Sequence, residues 1–297
     1  MRRDPWRARG YLAAAILGWA TAASAFKFGL QHLSPTVLLI FSACSSCLIL
    51  GMVLVVTGRA PLVRQQKGSQ IGLSALQGLL NPFGYYGVLF QAYDRLSAQA
   101  ALALNYTWPL LLALLAVPLL GERLRGRLLL ALGTSLVGVV LVATGGSWGT
   151  LQVEDPWGVG LAVGSAAIWA LYWLLNVRDG RDAVLKLFLG FVFGSGYCLA
   201  LLPFQELRWT LAGLAWAAYI GLAEMGLTFV FWLRALELAD ERGSLANWVY
   251  ITPFLSLGLI AVLLREPIAP GSVLGLGLIL ASNLWGSRRE KSQPVLS

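Results

Sequence analysis

From Tyr11 to Trp285 the chain is a succession of apolar runs, separated by short polar stretches that hold most of its arginines and lysines. Each run is close to the roughly 20 residues a helix needs to cross the hydrocarbon layer of a bilayer. In that layer each backbone N–H and C=O must find a partner within the protein, and a helix supplies it locally. Hydropathy therefore predicts ten membrane-spanning helices, over about residues 11–30, 35–56, 70–91, 97–119, 127–145, 157–177, 184–203, 211–233, 244–264 and 270–287. Ten such helices take up most of the 297 residues, leaving loops and tails and no room for a soluble domain. Only 12% of the residues are charged and 58% are hydrophobic, whereas soluble chains carry about 25% charged residues. Secreted, cytosolic and DNA-binding proteins are excluded on that ground. The expected class is an all-α polytopic membrane protein.

The net charge of +8 does not indicate a nucleic-acid partner, because the basic residues form small clusters between apolar runs and no continuous face. Their distribution predicts topology instead. With the N-terminus in the cytoplasm, 18 of the 22 basic residues fall on cytoplasmic segments. Three, Arg95, Arg208 and Arg265, fall on external loops, and Lys27 lies within the first span. That asymmetry places both termini in the cytoplasm. The Arg-rich start resembles a signal-peptide n-region, but since further hydrophobic segments follow it to the C-terminus an uncleaved first span is expected. Cys44 and Cys47 form a C-x-x-C inside an apolar run, which reads as two small residues one helical turn apart and not as a metal or redox site.

The second half repeats the first at a nearly fixed offset. At +144, Tyr106 corresponds to Tyr250, Pro109 to Pro253, Glu122 to Glu266 and Gly133 to Gly277. At +143, Gly78 corresponds to Gly221, Ala92 to Ala235 and Asp94 to Glu237. The expected units are residues 1–149 and 150–297, divided in the loop-like stretch 145–156. Each holds five spans, an odd number, so the second enters the membrane from the opposite side. Inverted repeats of this kind let one sequence pattern build both gates of an alternating-access transporter.

Two five-span halves, each with a span running through Pro109 or Pro253 to Glu122 or Glu266, resemble the EamA-type branch of the drug/metabolite transporter superfamily. The opening helix, with Gly18-Trp19-Ala20 and Lys27 near its far end, is similar to that family's first span. Within the branch, the Trp-rich spans and the segment Asn81-Pro-Phe-Gly-Tyr-Tyr86 look most like aromatic amino acid exporters of the YddG type. The resemblance implies ten helices around a central cavity. It also implies export of aromatic and other neutral amino acids across a bacterial inner membrane. A sibling exporter of cationic or lipophilic drugs would fit the same pattern.

The residues themselves suggest where a substrate binds. A charge at the bilayer centre costs at least about 2.5–3.5 kcal/mol, so an ionisable side chain there is a functional candidate. Lys27 and Glu224 are the two that lie well inside predicted spans. Glu224 pairs at +143 with Asn81, which puts polar groups at equivalent depths in the two halves. Glu224 meets a substrate ammonium, carries a proton, or is a neutral acid bonded to a neighbouring helix; Lys27 contributes charge or snorkels to the interface. Pro82, Pro109 and Pro253 are expected to bend or unwind their spans, either as gate hinges or as packing features. Trp169, Tyr172 and Trp173 share one helical face. With Trp19, Tyr85, Tyr106, Trp108 and Tyr250 they are candidates to line an apolar pocket and offer ring faces to an ammonium. Trp6, Trp148, Trp157, Trp209 and Trp285 lie near span ends and read as the interfacial belt.

Phosphorylated substrates are disfavoured, since they need clustered bases at midplane depth. An enzyme needs a nucleophile–base pair or a metal cluster, and one histidine, His32, near a span end provides neither. The expectation is a monomeric carrier for an amino acid or an amphiphilic cation, embedded in lipid, with no catalytic residue, metal or cofactor.

Overall fold

The computed structural model describes residues 4–121, 126–146, 155–239 and 248–287. Glu122, Trp148, the expected boundary at 149/150 and the basic residues Arg2, Arg3, Arg123, Arg125, Arg242, Arg288, Arg289 and Lys291 lie outside the described residues. Every regular element among the described residues is helical. In chain order the α-helices of eight residues or more are α1 Pro5–Leu30, α2 Pro35–Val56, α3 Gly68–Gly78, α4 Tyr85–Arg95, α5 Ala98–Asn105, α6 Trp108–Leu120 and α7 Gly126–Ala143, followed by α8 Pro156–Arg178, α9 Ala183–Ala200, α10 Leu211–Tyr219, α11 Thr228–Leu238, α12 Thr252–Leu263 and α13 Pro270–Ser287. Among the described residues, seven helical stretches are long and apolar enough to cross a membrane, and two shorter apolar ones cover Trp248–Leu263 and Pro270–Trp285. The chain is a multi-pass helical membrane protein.

Its surface suits that environment. Leu48, Met52, Val56, Leu130, Leu136 and Val262 are exposed, whereas Ser42, Ser46, Gln77, Asn81 and Asn283 are buried. In water this would be an aggregating exterior over a costly interior; in hydrocarbon it is the stable arrangement.

Several predicted spans are built differently from simple rods. The first helix begins at Pro5, earlier than hydropathy suggests. Asp4 accepts a hydrogen bond from the Arg7 N–H, and proline suits the first helical position. Asp155 and Pro156 start α8 in the same way, through the Gly158 N–H. That bond, with Arg95 nearby, holds the Asp155 carboxyl below its ordinary value. Asp-Pro-Trp thus opens both α1 and α8, a repetition present in the sequence in addition to the offsets above.

The predicted span 70–91 extends over 68–95 and is interrupted. A π-helical turn, Leu79–Gly84, separates α3 from α4, and Asn81 within it has the extended backbone φ −147°, ψ 121°. Proline removes a donor and disfavours helix at the residue before it, so the break falls where Asn81-Pro82 predicts. A second π-helical turn, Ile220–Leu227, separates α10 from α11 at the equivalent place without any proline. The span 97–119 is two helices joined at Tyr106–Thr107, and Pro109 stands in the first turn of α6. Pro253 occupies the same place in α12, after a 3-10 turn over Trp248–Ile251. Both prolines therefore start a helix after a bend and do not kink one from within.

Packing follows a reciprocal scheme. Helix α1 lies on α11 and α12, while α8 lies on α4 and α6. Helix α2 contacts α10 and the Ile220–Leu227 turn, and α9 contacts α3 and the Leu79–Gly84 turn. The pairs α2–α9 and α7–α13 complete the bundle. Gly78 and Gly221 make these contacts possible. A Cβ on Gly78 would lie 2.4 Å from the Gly190 carbonyl oxygen, and one on Gly221 would lie 2.5 Å from that of Ser42. Backbones come this close only where no side chain intervenes.

Candidate functional site

The two π-helical turns place aromatic and polar side chains at the centre of the bundle. Interruptions of this kind recur at functional sites, because they free backbone groups and redirect side chains. The Leu79–Gly84 turn leads directly into Tyr85 and Tyr86, and Glu224 lies within the Ile220–Leu227 turn. Tyr86 is fully buried and donates its hydroxyl hydrogen to Glu224 Oε1 at 3.2 Å.

Trp169, in the middle of α8, organises the rings. It stacks on Tyr85 with centroids 4.5 Å apart and on Tyr172 at 5.3 Å. Trp173 meets it edge-on at 5.9 Å, and Phe229 lies tilted at 5.8 Å. Phe229 in turn meets Trp19 edge-on at 5.5 Å, so the cluster reaches from α8 through α11 to α1. Offset and edge-to-face pairs such as these contribute about 0.5–1.5 kcal/mol each beyond the area they bury. The Tyr85 hydroxyl is fixed by a polar relay. It donates to Asn105 Oδ1 at 3.2 Å, Asn105 Nδ2 donates to Ser165 Oγ at 2.9 Å, and Ser165 donates to the Ala162 carbonyl at 2.7 Å.

Around this cluster several buried polar atoms have no hydrogen-bond partner among the described residues. They are Glu224 Oε2, Trp173 Nε1 and both amide atoms of Asn81. Asn81 faces the Tyr172 hydroxyl without completing a bond to it. Leaving such groups unsatisfied costs about 1–3 kcal/mol apiece, and a zwitterionic ligand supplies partners for acceptor and donor alike.

The structure thus brings together Trp19, Tyr85, Trp169, Trp173 and Glu224 from the predicted set, with Asn81 and Pro82 on the adjoining turn. Tyr106, Trp108 and Tyr250 are half-buried against the same core. The Tyr106 carbonyl accepts from Asn283 Nδ2 of α13 at 2.9 Å. Pro109 and Pro253 lie at the bends described above. Lys27 belongs elsewhere. Its ammonium donates to the Tyr93 carbonyl at 2.6 Å and lines a separate cavity of about 330 Å³ with Leu30, Gln31, Asp94, Leu264 and Glu266. A second, apolar recess of about 560 Å³ lies between α1, α2 and α11, lined in part by Tyr11, Met52, Leu222 and Phe231.

Sequence reasoning missed Phe229, Asn105 and Ser165 as parts of the cluster. Asn105 was detectable as a polar residue inside an apolar run, one position before Tyr106. Phe229 carried no such mark, since it is one of many large apolar residues in its span.

The sequence profile of the EamA-like transporter family matches residues 8–144 and, separately, 156–285. The uncharacterized transporter YvbV of Bacillus subtilis (strain 168) is 24% identical over 95% of this chain and 92% of its own length. The uncharacterized protein PA1977 of Pseudomonas aeruginosa is 33% identical over 70% of this chain and 74% of its own. The aromatic amino acid exporter YddG of Ancylobacter novellus is 29% identical over 65% of this chain and 70% of its own. One solved crystal structure shares the fold over 96% of this chain and 97% of its own, with a TM-score of 0.65 and 22% identity.

Proposed function

We propose that this chain, which belongs to the EamA-like transporter family, exports aromatic and other neutral amino acids across a bacterial inner membrane by alternating access. The observation that carries the proposal is the Trp169–Tyr85 ring stack, with the unsatisfied carboxylate oxygen of Glu224 and the unsatisfied Trp173 N–H nearby. Ring faces accommodate an apolar side chain and attract an ammonium, Glu224 takes the ammonium, and the Asn81 amide and Trp173 N–H donate to the carboxylate. An exporter among the relatives is named for aromatic amino acids, which agrees with this chemistry.

On this reading α3 and α4 together, α12 and α13 also cross the bilayer, giving ten spans as two inverted five-helix repeats with both termini in the cytoplasm. Three features support it: the reciprocal packing of the two halves, the paired π-helical turns, and the paired bends at Pro109 and Pro253. The turn before each terminal glutamate adds a fourth, because Gly121 and Arg265, 144 residues apart, both have left-handed backbones with φ 71° and 54°. The bends and π-helical turns then serve as hinges for the two gates.

Purified protein in liposomes tests the proposal. Labelled phenylalanine, threonine and methionine are expected to show saturable counterflow, and no saturable flux for any of them overturns it. A second reading, export of cationic or lipophilic compounds, is favoured by one observation: the ionisable side chain bonded into the ring cluster is a carboxylate. A quaternary ammonium dye that is itself transported and displaces amino acids would support that reading.

A further inference from the structure

The cavity at the Gln31 end of the bundle has a composition that the central site lacks. It brings a cation, Lys27, into one space of about 330 Å³ with two carboxylates, Asp94 and Glu266, between the apolar walls of Leu30 and Leu264. That volume lies within the range of small-molecule sites, about 300–1,000 Å³. The charges are not paired in direct contact. No ion pair within 4 Å joins Lys27 to either acid, and Asp94 makes no hydrogen bond or ion pair among the described residues. Glu237, the counterpart of Asp94 at +143, is by contrast held by Arg234 at 2.9 Å.

Lys27 and Glu266 are also fixed in place. Lys27 is half-buried, anchored by one N–H to the Tyr93 carbonyl, with two ammonium hydrogens left over. Glu266 accepts the Ala98 and Gln99 N–H groups at the start of α5, at 3.1 and 3.3 Å, and Gln99 Nε2 donates to the following Pro267 carbonyl at 2.8 Å. A carboxylate has about four lone-pair sites, so Glu266 retains acceptor capacity.

The geometry points to a second binding site here, for the ammonium–carboxylate head of an amino acid on its way out. Lys27 takes the carboxylate, Asp94 and Glu266 share the ammonium, and Leu30 and Leu264 contact the side chain. The inference rests on the amino acid reading above and sharpens it. A zwitterion uses both signs of charge, whereas an amphiphilic cation has nothing to offer Lys27.

Phenylalanine exchange in proteoliposomes of established orientation, with KM measured from each side, provides the test. Lys27→Gln and Asp94→Asn are each expected to raise KM about tenfold for substrate presented at the Gln31 end. KM from the opposite end stays within about twofold of the unmodified protein, and Lys27→Arg restores the first value. Thermal melting of each variant checks the fold. Should Lys27→Gln fail to fold, Asp94→Asn decides alone, because its side chain is exposed and bonds to nothing. Unchanged KM at both ends overturns the site while leaving the amino acid reading intact, and an equal rise at both ends does the same. Absence of saturable phenylalanine flux in the unmodified protein overturns both.

Discussion

The Tyr86 hydroxyl and the Glu224 carboxylate, 138 positions apart in sequence, are joined by a buried hydrogen bond of 3.2 Å. The bond links the helix interrupted at Asn81 to the one interrupted around Glu224. Glu224 keeps its second oxygen free of any partner.

Removing the donor and altering the acceptor are expected to have different consequences. Tyr86→Phe strips Glu224 of its hydrogen bond and is expected to cost about 1.5–3 kcal/mol of stability, read as a lower melting temperature in detergent. Glu224→Gln keeps an oxygen to accept from Tyr86 and melts close to the unmodified protein. If Glu224 carries a proton, the Gln variant loses flux driven by a pH gradient while retaining counterflow. Full gradient-driven flux in Glu224→Gln rules that role out.

The rings separate packing from recognition in a similar way. Trp169 is buried among four aromatic neighbours, so Trp169→Ala leaves a large cavity and is expected to cost about 3–5 kcal/mol. Trp173→Phe keeps a ring and deletes an N–H that bonds to nothing among the described residues. Its melting temperature is expected to hold, and KM for amino acid counterflow to rise about two- to tenfold. An unchanged KM removes Trp173 from the site.

Gly78 is expected to tolerate no side chain. The Cβ of Gly78→Ala would run into the Gly190 carbonyl and the Gly194 amide of α9, backbone groups that cannot rotate away. A loss of about 1–3 kcal/mol is expected, visible as poor recovery of monodisperse protein on size-exclusion chromatography. Gly196→Ala, where a Cβ meets open space, is expected to be neutral or to stabilise the helix slightly.

The turn after α8 gives a pH dependence. Asp179 is buried, which by itself would raise its carboxyl. The Arg181 guanidinium at 2.6 Å, the Arg181 N–H and the Gln77 amide outweigh burial and hold it below the ordinary value. A depressed carboxyl contributes stability above its unfolded value, about 3.9, and loses it as pH falls through the folded one. The melting temperature of the unmodified protein is therefore expected to fall below about pH 4. Asp179→Asn melts lower at neutral pH and shows a shallower acid slope; parallel acid slopes would contradict the assignment.

Some of this arrangement was legible in the chain. Asn81-Pro82 marked the first interruption because proline acts locally, whatever surrounds it. The turn at 220–227 carries no such residue; only its register with Asn81, through the +143 offset, hinted at it. Within it Gly221 seats against the Ser42 backbone of α2, a contact between residues far apart in the chain. Trp169, Tyr172 and Trp173 were recognisable as one face by their spacing, yet Phe229 was not distinguishable from its apolar neighbours. Lys27 was legible as an intramembrane charge. That it faces Asp94 and Glu266 was not, because those residues come from other helix ends.

By itself the sequence determined that the chain lives in a bilayer, roughly where its helices lie, and that its second half echoes the first. These follow from hydropathy and offset, which sum over neighbouring residues. Only the tertiary structure decided which side of each helix faces its partners. In water an apolar stripe marks the buried face of a helix, but in lipid the outer face is equally apolar and the stripe disappears. What remains to direct the packing is fit, glycine against backbone and ring against ring, and that is settled by residues far apart in the chain.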